Sequence, residues 1–212
     1  MKASLKQRII QYGLYNSFFR LFKKILRHLG IQREVFLICK RNLNDFSPNI
    51  TLHKDFHTRE IFAEDFINSS VLKIGSHKIT AYNILFSKEG YHAYGVFTTS
   101  KVMVYFGWIS INEGVLPGVT DDDLISNDEG LIVNAFCHPD YRKYGIHTYM
   151  NQYRLLKIKE YGKKAGVGFV LKENIPARKS QLKIGMSCNE IIIVSKIFGK
   201  QKIRRIKKKI EL

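Results

Sequence analysis

Apolar residues recur at helical spacing near the start of the chain. Phe18, Phe22, Ile25 and Leu29 follow one another at intervals of four, three and four residues, which keeps their side chains on one helical face. Basic residues lie between them, and Gly30 is suited to end the helix. We favour an interpretation in which this basic amphipathic helix packs its apolar face on the rest of the protein. The alternative is a helix that lies on an acidic membrane surface.

Runs of β-branched and aromatic residues predict the strands of the first half. Residues 34–43 begin with such a run, and residues 91–97 and 101–111 flank a short polar turn, as in a β-hairpin. Between the strand over 34–43 and the hairpin, residues 58–69 have a helical pattern with Ile61, Phe62, Phe66 and Ile67 on one side. We therefore expect a helix between the first strand and the hairpin.

The second half alternates between strand and helix patterns. The predicted elements are a strand over 130–139, a helix over 145–161, a strand over 166–171, a helix over 176–184 and a strand over 191–198. This order predicts βαβ units around a mixed sheet. We expect an α/β or α+β domain over 31–212, preceded by a helical arm over 1–30.

The net charge of the chain predicts a class of binding partner. The chain has 35 Lys and Arg against 18 Asp and Glu, a formal net charge of +17. Such an excess attracts nucleic acid, acidic lipid or phosphorylated small molecules. Residues 196–209 hold eight of these basic residues with Ile between them. This basic tail either binds nucleic acid or an anionic membrane, or is frayed and solvated.

Cysteine usage bears on location. Cys39, Cys137 and Cys188 are few, odd in number and far apart, which fits a reducing compartment better than a disulfide framework. No CxxC or HExxH motif occurs, so we expect no metal site. No secretion signal or apolar run of about 18 residues is apparent. We expect a cytoplasmic protein, with peripheral contact at the inner membrane face as a further option.

One segment carries candidate chemistry, residues 137–147 (CHPDYRKYGIH). A buried strand stops at Pro139 and is followed by a basic turn and a helix that begins near Gly145. The N–H groups at a helix start have no internal partner, and the helix dipole favours negative charge there. With Arg142 and Lys143 beside it, the turn is suited to a pyrophosphate. The alternative is a surface turn with solvated charges.

This segment resembles the GNAT (GCN5-related) family of N-acetyltransferases. The family's motif is Arg or Gln, two residues, Gly, one residue, then Gly or Ala, after a strand that ends in Pro. Arg142 and Gly145 match, whereas His147 stands where the family has a small residue. Its side chain either narrows the pyrophosphate site or lies beside the phosphates.

A second match lies downstream, where Asn174, Ala177 and Gly185-Met186 follow the family's Asn-x-x-Ala pattern that ends in Gly-Phe. The resemblance covers roughly residues 31–200 and implies a mixed, mostly antiparallel sheet with a splayed strand pair and flanking helices. It also implies that acetyl-CoA, or another acyl-CoA, binds between the splayed strands. The cofactor-binding residues that it implies are Phe136, Cys137, Arg142, Lys143, Tyr144, Gly145, Ile146, His147 and Asn174.

The resemblance implies direct acyl transfer to an amine. A base takes the amine proton, and a main-chain donor stabilises charge on the thioester oxygen. The family often uses a Tyr seven residues after the Asn as the acid; here that residue is Gln181, which leaves Ser180 as a weak substitute. Glu129 is a weak candidate base, in an acidic loop with Asp121–Asp123 and Asp128. The alternative is that this loop is simply solvated and has no role in the reaction. No His is evidently paired with Cys137, which disfavours an acyl-enzyme.

Two functions remain open. The first is an acetyl-CoA-dependent N-acyltransferase of a small amine. The basic arm before the first strand makes the chain similar to acetyltransferase-like proteins of surface-polysaccharide synthesis, which suggests an amino sugar or nucleotide-linked sugar as acceptor. The second is a catalytically degenerate relative that binds nucleic acid or an anionic membrane, and His147 and Gln181 motivate it.

Overall fold

The fold is mixed α+β. The computed structural model describes residues 22–23, 25–69, 71–72, 74–114, 116 and 124–208. Within these residues the order is β1 (Ile31–Asn42), β2 (Phe56–Glu60), α1 (Ala63–Ile67), α2 (Ser76–Phe86), β3 (Tyr91–Thr98), β4 (Met103–Ser110), β5 (Glu129–Cys137), α3 (Ile146–Glu160), β6 (Ala165–Leu171), α4 (Ile175–Lys183), β7 (Ser187–Ile197) and β8 (Lys200–Lys207). The strands form a mostly antiparallel eight-stranded sheet in the order β2-β3-β4-β5-β6-β1-β7-β8.

The chain divides into two compact units. The first contains the described residues of 41–114 and 124–167, and the second those of 22–40 and 168–208 together with Leu116. In sequence, the described residues of the first unit thus lie between the two main segments of the second, with Leu116 interrupting them. No helix in the described part of the chain is long and apolar enough to span a bilayer.

In the first unit, β2, β3, β4 and β5 pair antiparallel in chain order. An aromatic cluster on one face includes Phe66 from α1, Tyr82 from α2 and Trp108 from β4. Tyr94 points to the opposite face, because side chains alternate along a strand, and there it contacts Tyr153 of α3. Helices α1 and α2 thus cover one face of these strands and α3 covers the other.

In the second unit, β1, β7 and β8 pair antiparallel. Cys39 lies directly opposite Cys188 in the pairing of β1 with β7, and the two form a disulfide across 149 residues of sequence. The expectation of unpaired cysteines is therefore wrong, because strand register rather than sequence distance decides which thiols meet. The argument for a reducing compartment loses its basis. Cys137 is a free, buried cysteine.

The helix predicted over 58–69 is wrong in its first part. Residues 56–60 form β2, which pairs with β3 from Tyr94 to Thr98, and only Ala63–Ile67 is helical. Ile61 and Phe66 are buried, but Phe62 and Ile67 are exposed, so the four apolar residues do not share one packed face. Helix α2 has no counterpart in the sequence prediction. The other predicted strands and helices between 31 and 198 are confirmed, with ends shifted by up to four residues.

The predictions for the two ends of the chain fare differently. Residues 22–23 and 25–28 are helical and the helix stops at Gly30, which has φ of +75°; residues 1–21 lie outside the described part. Phe22, Ile25 and Leu29 are each more than half exposed, so the packed apolar face that we favoured is not found at these positions. The basic tail is not frayed either, because most of it forms β8.

Candidate active site

The predicted anion-binding turn lies directly after β5. Residues Pro139–Tyr141 form one 3₁₀ turn, and α3 begins after Gly145. Gly145 has φ of +72°, a conformation that strongly favours glycine, and a Cβ atom added there would meet no described atom within 4 Å. The turn therefore needs glycine for its backbone, and the space beside it is open.

The charge of this turn is positive. The first turn of α3, all of which is described, contains no acidic residue. The first helical hydrogen bond runs from the N–H of Tyr149 to the carbonyl of Gly145 (3.0 Å), so earlier N–H groups remain available to an anion. Arg142 Nε donates to the carbonyl of Cys137 (3.3 Å), which ties the guanidinium to the strand end, and Lys143 is exposed. The geometry suits a pyrophosphate.

His147, the residue that departs from the family motif, lies next to the sheet. Its ring centroid is 5.8 Å from that of Tyr105 on β4. Burial, followed by the positive charges of Arg154 and Arg142, lowers the pKa of His147 to about 4. The imidazole is therefore neutral at pH 7 and adds no charge to the turn.

A β-bulge interrupts β5 near its end. Val133 pairs with Trp108 and Phe136 with Phe106, which leaves Asn134 and Ala135 together opposite Gly107. Asn134 has φ of +41°, and both bulge residues are exposed. At the bulge, main-chain groups of β5 therefore lie outside the regular β4–β5 hydrogen-bond ladder, on exposed residues.

Arg154 holds this bulge from the α3 side. Its Nη1 donates to the carbonyls of Trp108 and Val133, both at 3.0 Å. A Cβ atom at Gly107 would lie 3.0 Å from the Arg154 guanidinium carbon, so a side chain there would press on the buried guanidinium. Sequence reasoning missed Arg154, because an Arg within a helix reads as a solvated residue. The available signal was Gly107, since a glycine inside a strand often marks a bulge or a close approach.

A pocket of about 220 Å³ opens beside the bulge. Burial raises the pKa of Tyr82, which lines it, so its hydroxyl stays protonated and can donate a hydrogen bond. Sequence reasoning missed this pocket because it depends on α2, which the sequence did not predict. Its described lining residues come from the segment before α2, from α2 itself, from β4 and from the bulge: Leu72, Ile74, Gly75, Lys78, Tyr82, Phe106, Asn134, Ala135 and Phe136.

The second motif forms a helix in the second unit. Asn174 begins α4, and its side-chain oxygen accepts a hydrogen bond from the N–H of Ala177 (3.3 Å). Gly185, with φ of +75°, follows the end of this helix. Gln181 is buried, and its amide nitrogen would lie 3.2 Å from a Cβ atom at Gly168 on β6. Ser180 precedes Gln181 by one residue and so points to a different side of the helix.

The structure does not bring the acidic candidates to the turn. Glu129 accepts a hydrogen bond from the N–H of Ser126 (3.0 Å), and Asp128 forms an ion pair with Lys164 (2.9 Å). Glu129 begins β5, roughly 26 Å along the strand from Cys137 at 3.3 Å per residue, and Asp128 directly precedes it. Asp121–Asp123 lie outside the described residues.

Two further observations bear on the chemistry. Burial raises the pKa of the Cys137 thiol to about 11, so it is protonated and a poor nucleophile at neutral pH. The described residues contain no group of three or more His, Cys, Asp or Glu side chains that could hold a metal ion.

Comparison with known proteins shows the fold. No protein-family model matches the sequence, and no curated protein is significantly similar to it. A GCN5-related N-acetyltransferase from Sphaerobacter thermophilus matches with a TM-score of 0.53 at 13% identity, over 93% of this chain and 58% of that chain. A Drosophila protein matches with a TM-score of 0.58 at 14% identity, over 86% of this chain and 58% of that one.

A conserved protein of unknown function from Staphylococcus epidermidis also matches, with a TM-score of 0.52 at 11% identity, over 90% of this chain and 68% of its own. The chain spans little more than half the length of the Sphaerobacter and Drosophila proteins. At these identities the similarity concerns architecture alone. The chain has the fold of the GCN5-related N-acetyltransferases.

Proposed function

We propose that this protein is an acyltransferase that uses an acyl-CoA, acetyl-CoA in the simplest case, and passes the acyl group directly to an amine. The observation that carries the proposal is the turn after β5. There, left-handed Gly145 lies at the positive end of a fifteen-residue helix, and no described atom lies within 4 Å of a Cβ added to it. The acetyltransferase-type fold supports the same reaction class.

In this proposal the turn binds the pyrophosphate of coenzyme A. Main-chain N–H groups at the start of α3 donate to the phosphate oxygens, and Arg142 and Lys143 neutralise their charge. An acyl-CoA, when bound, would supply the acyl group from its thioester. We also propose that Asn174 contacts the pantetheine arm of coenzyme A. Only the resemblance to the family supports this contact.

The bulge supplies the donor for the reacting carbonyl. Main-chain N–H groups near Asn134 and Ala135 lie outside the ladder, and one of them would stabilise the negative charge that develops on the thioester oxygen. Tyr82, which is protonated, offers a second donor in the same pocket. Gln181 can donate a hydrogen bond but no proton, so we propose that water takes the proton that the attacking amine loses and returns one to the leaving thiolate, which departs as the free thiol of coenzyme A.

The pocket beside the bulge is proposed to hold the acceptor amine. Among its described lining residues, Lys78 carries the only formal charge. A cation at this place favours an acceptor that carries an anionic group and disfavours a polycationic one. A phosphorylated or nucleotide-linked amino sugar has this chemistry. Acetylation assays on matched pairs of amino sugars with and without a phosphate test it, and equal rates for both members would exclude the role of Lys78.

The cofactor proposal is tested with two glycines at opposite ends of α3. Gly145 and Gly162 have φ of +72° and +78°, and a Cβ atom at either would meet no described atom within 4 Å. Alanine at either position therefore costs about 1 kcal/mol of stability for its backbone conformation. Only Gly145→Ala places a methyl group in the proposed pyrophosphate site, so we expect a loss of affinity for coenzyme A of about tenfold or more, about 1.4 kcal/mol.

Calorimetry with coenzyme A and acetyl-CoA measures this difference. Gly162→Ala should bind like the unmodified protein while losing as much stability as Gly145→Ala. Equal affinities for both variants would place the cofactor elsewhere. If the unmodified protein did not bind either ligand at high micromolar concentration, the degenerate, non-enzymatic alternative would replace this proposal.

A further inference from the structure

The positive charge is concentrated in one of the two units. The described residues of the second unit contain 15 Lys and Arg against three Glu, whereas those of the first contain 13 Lys and Arg against 11 Asp and Glu. The proposed pyrophosphate-binding turn lies in the first unit, so binding of the pyrophosphate does not account for this excess. An anionic partner that binds the second unit would account for the excess of positive charge.

The same unit exposes apolar side chains in a row. Phe22, Ile25 and Leu29 lie on one face of the N-terminal helical segment, at spacings of three and four residues. Their exposed fractions are 54%, 55% and 59%. Lys23, which lies between them, instead forms ion pairs with Glu34 and Glu173. The helix is thus held by its polar side while its apolar face points away.

The hairpin between β7 and β8 extends this apolar surface. Phe198 at its tip is 78% exposed and has φ of +45°, a conformation that costs a bulky residue about 1 to 2 kcal/mol. Its N–H donates to the carbonyl of Gly30 (2.9 Å), and a Cβ atom at Gly30 would lie 3.2 Å from its ring. The hairpin tip and the end of the helical segment therefore adjoin. A strained, exposed aromatic residue is a feature that points to a function.

Basic residues flank the hairpin tip on both strands. Exposed ones near the tip are Lys196, Lys200, Lys202 and Arg204, and Ile197, next to the tip, is 52% exposed. Apolar side chains surrounded by cations match a lipid surface, where rings enter the boundary between headgroups and acyl chains and ammonium groups contact phosphates. A nucleic-acid backbone offers the phosphates but no apolar layer for Phe198.

We propose that the end of the N-terminal helical segment and the β7–β8 hairpin tip form a surface that binds anionic lipid bilayers. Phe22, Ile25, Leu29, Ile197 and Phe198 enter the interface. The cations of the hairpin pair with anionic headgroups. The protein thereby acts at a membrane surface, independently of which acyl acceptor it uses.

Phe198→Asn is the decisive variant. Asn tolerates a positive φ far better than Phe, so this change should keep or raise the melting temperature while it removes the aromatic ring. Co-sedimentation with vesicles of phosphatidylcholine and phosphatidylglycerol should show a loss of affinity of about tenfold, because the ring no longer enters the interface. Phe62→Asn, at a 58% exposed Phe of the first unit, should bind vesicles like the unmodified protein.

Charge reversal tests the second half of the surface. Lys200→Glu and Lys202→Glu should each weaken binding to the anionic vesicles by at least about fivefold, since one basic residue contributes about 1 kcal/mol at such a surface. Vesicles of phosphatidylcholine alone should bind weakly in every case. Stronger binding at low salt is expected as well.

Three results would overturn the proposal. One is equal vesicle affinity for Phe198→Asn and the unmodified protein. Another is a dimer that Phe198→Asn converts to a monomer without any change in vesicle binding, which would assign the surface to a second copy of the chain. The third is a stable complex with duplex DNA that displaces the protein from vesicles and does not depend on Phe198.

Discussion

Arg154 shows how a single side chain can shape a site that it does not reach. Its guanidinium is buried, and burial lowers its pKa. It donates to the carbonyls of Trp108 on β4 and Val133 on β5, the residue pair on one side of the bulge. Without a donor in this place, those carbonyls would be desolvated and unpaired. The irregular pairing opposite Gly107 therefore depends on Arg154.

We expect Arg154→Met to destabilise the protein by about 3 kcal/mol, because buried carbonyl groups lose their charged donor while the side-chain volume is largely kept. Urea unfolding measures the change in the free energy of unfolding. The bulge should relax toward regular pairing, so affinity for acetyl-CoA should fall as well.

Arg204→Met is the matched control for Arg154→Met, since Arg204 is exposed on β8; it should change the free energy of unfolding by less than about 0.5 kcal/mol. If Arg154→Met were no more destabilising than this control, the interpretation of Arg154 as the group that fixes the bulge would be wrong.

Helix α3 connects the proposed cofactor site to the sheet. Its first turn contributes N–H groups toward the proposed anion, while His147 in the same turn contacts Tyr105 on β4. A bulky residue at the position where the family has a small one is thus accommodated on the inner side of the helix. This arrangement has a consequence for the pH dependence of folding.

We expect the protein to lose stability as the pH falls from about 6.5 to about 4. The pKa of His147 is lowered to about 4 in the folded protein, from an ordinary value of 6.5. In this range the unfolded chain binds the proton and the folded protein does not, so acid favours unfolding. The stabilisation is fully present above pH 6.5, and its loss amounts to at most about 3 kcal/mol.

Urea midpoints at several pH values compare the unmodified protein with His147→Gln. Between pH 4 and 6.5, the free energy of unfolding should depend less steeply on pH in this variant. The difference should correspond to the binding of up to one proton on unfolding. His28→Gln, at an exposed histidine, is the control variant. Identical slopes in all three proteins would show that His147 is accessible to protons in the folded state.

Local patterns in the sequence identify most elements. Glycines at 145 and 162 delimit α3 because each must adopt a positive φ, a property that the residue type reveals directly. The strand at residues 56–60 is different, since its five residues become a strand only by pairing with β3. The bulge at Asn134, the pocket beside it and the contact of Arg154 with Gly107 also depend on neighbours distant in sequence. Accordingly, the sequence predicts the anion-binding turn but not the rest of the candidate site.

At the scale of the whole molecule, the Cys39–Cys188 disulfide links strands that are 149 residues apart in sequence. We expect reduction, or the double substitution Cys39→Ser and Cys188→Ser, to lower the free energy of unfolding by about 5 kcal/mol, since closing so long a loop restricts the unfolded chain. Urea unfolding with and without reductant measures this. Cys137→Ala should retain the response to reductant, and a midpoint insensitive to reductant would show that the two cysteines are not bonded in solution.

This disulfide also sets how the chain can be divided. The described residues of the first unit all lie between residues 40 and 168, so Cys39 and Cys188 flank them in the sequence. A protease that cuts once anywhere within the first unit would yield two fragments that remain covalently joined. They would migrate together until a reductant is added. Under oxidising conditions residues 39–188 thus form a covalently closed loop. One cleavage within that loop does not separate the two fragments.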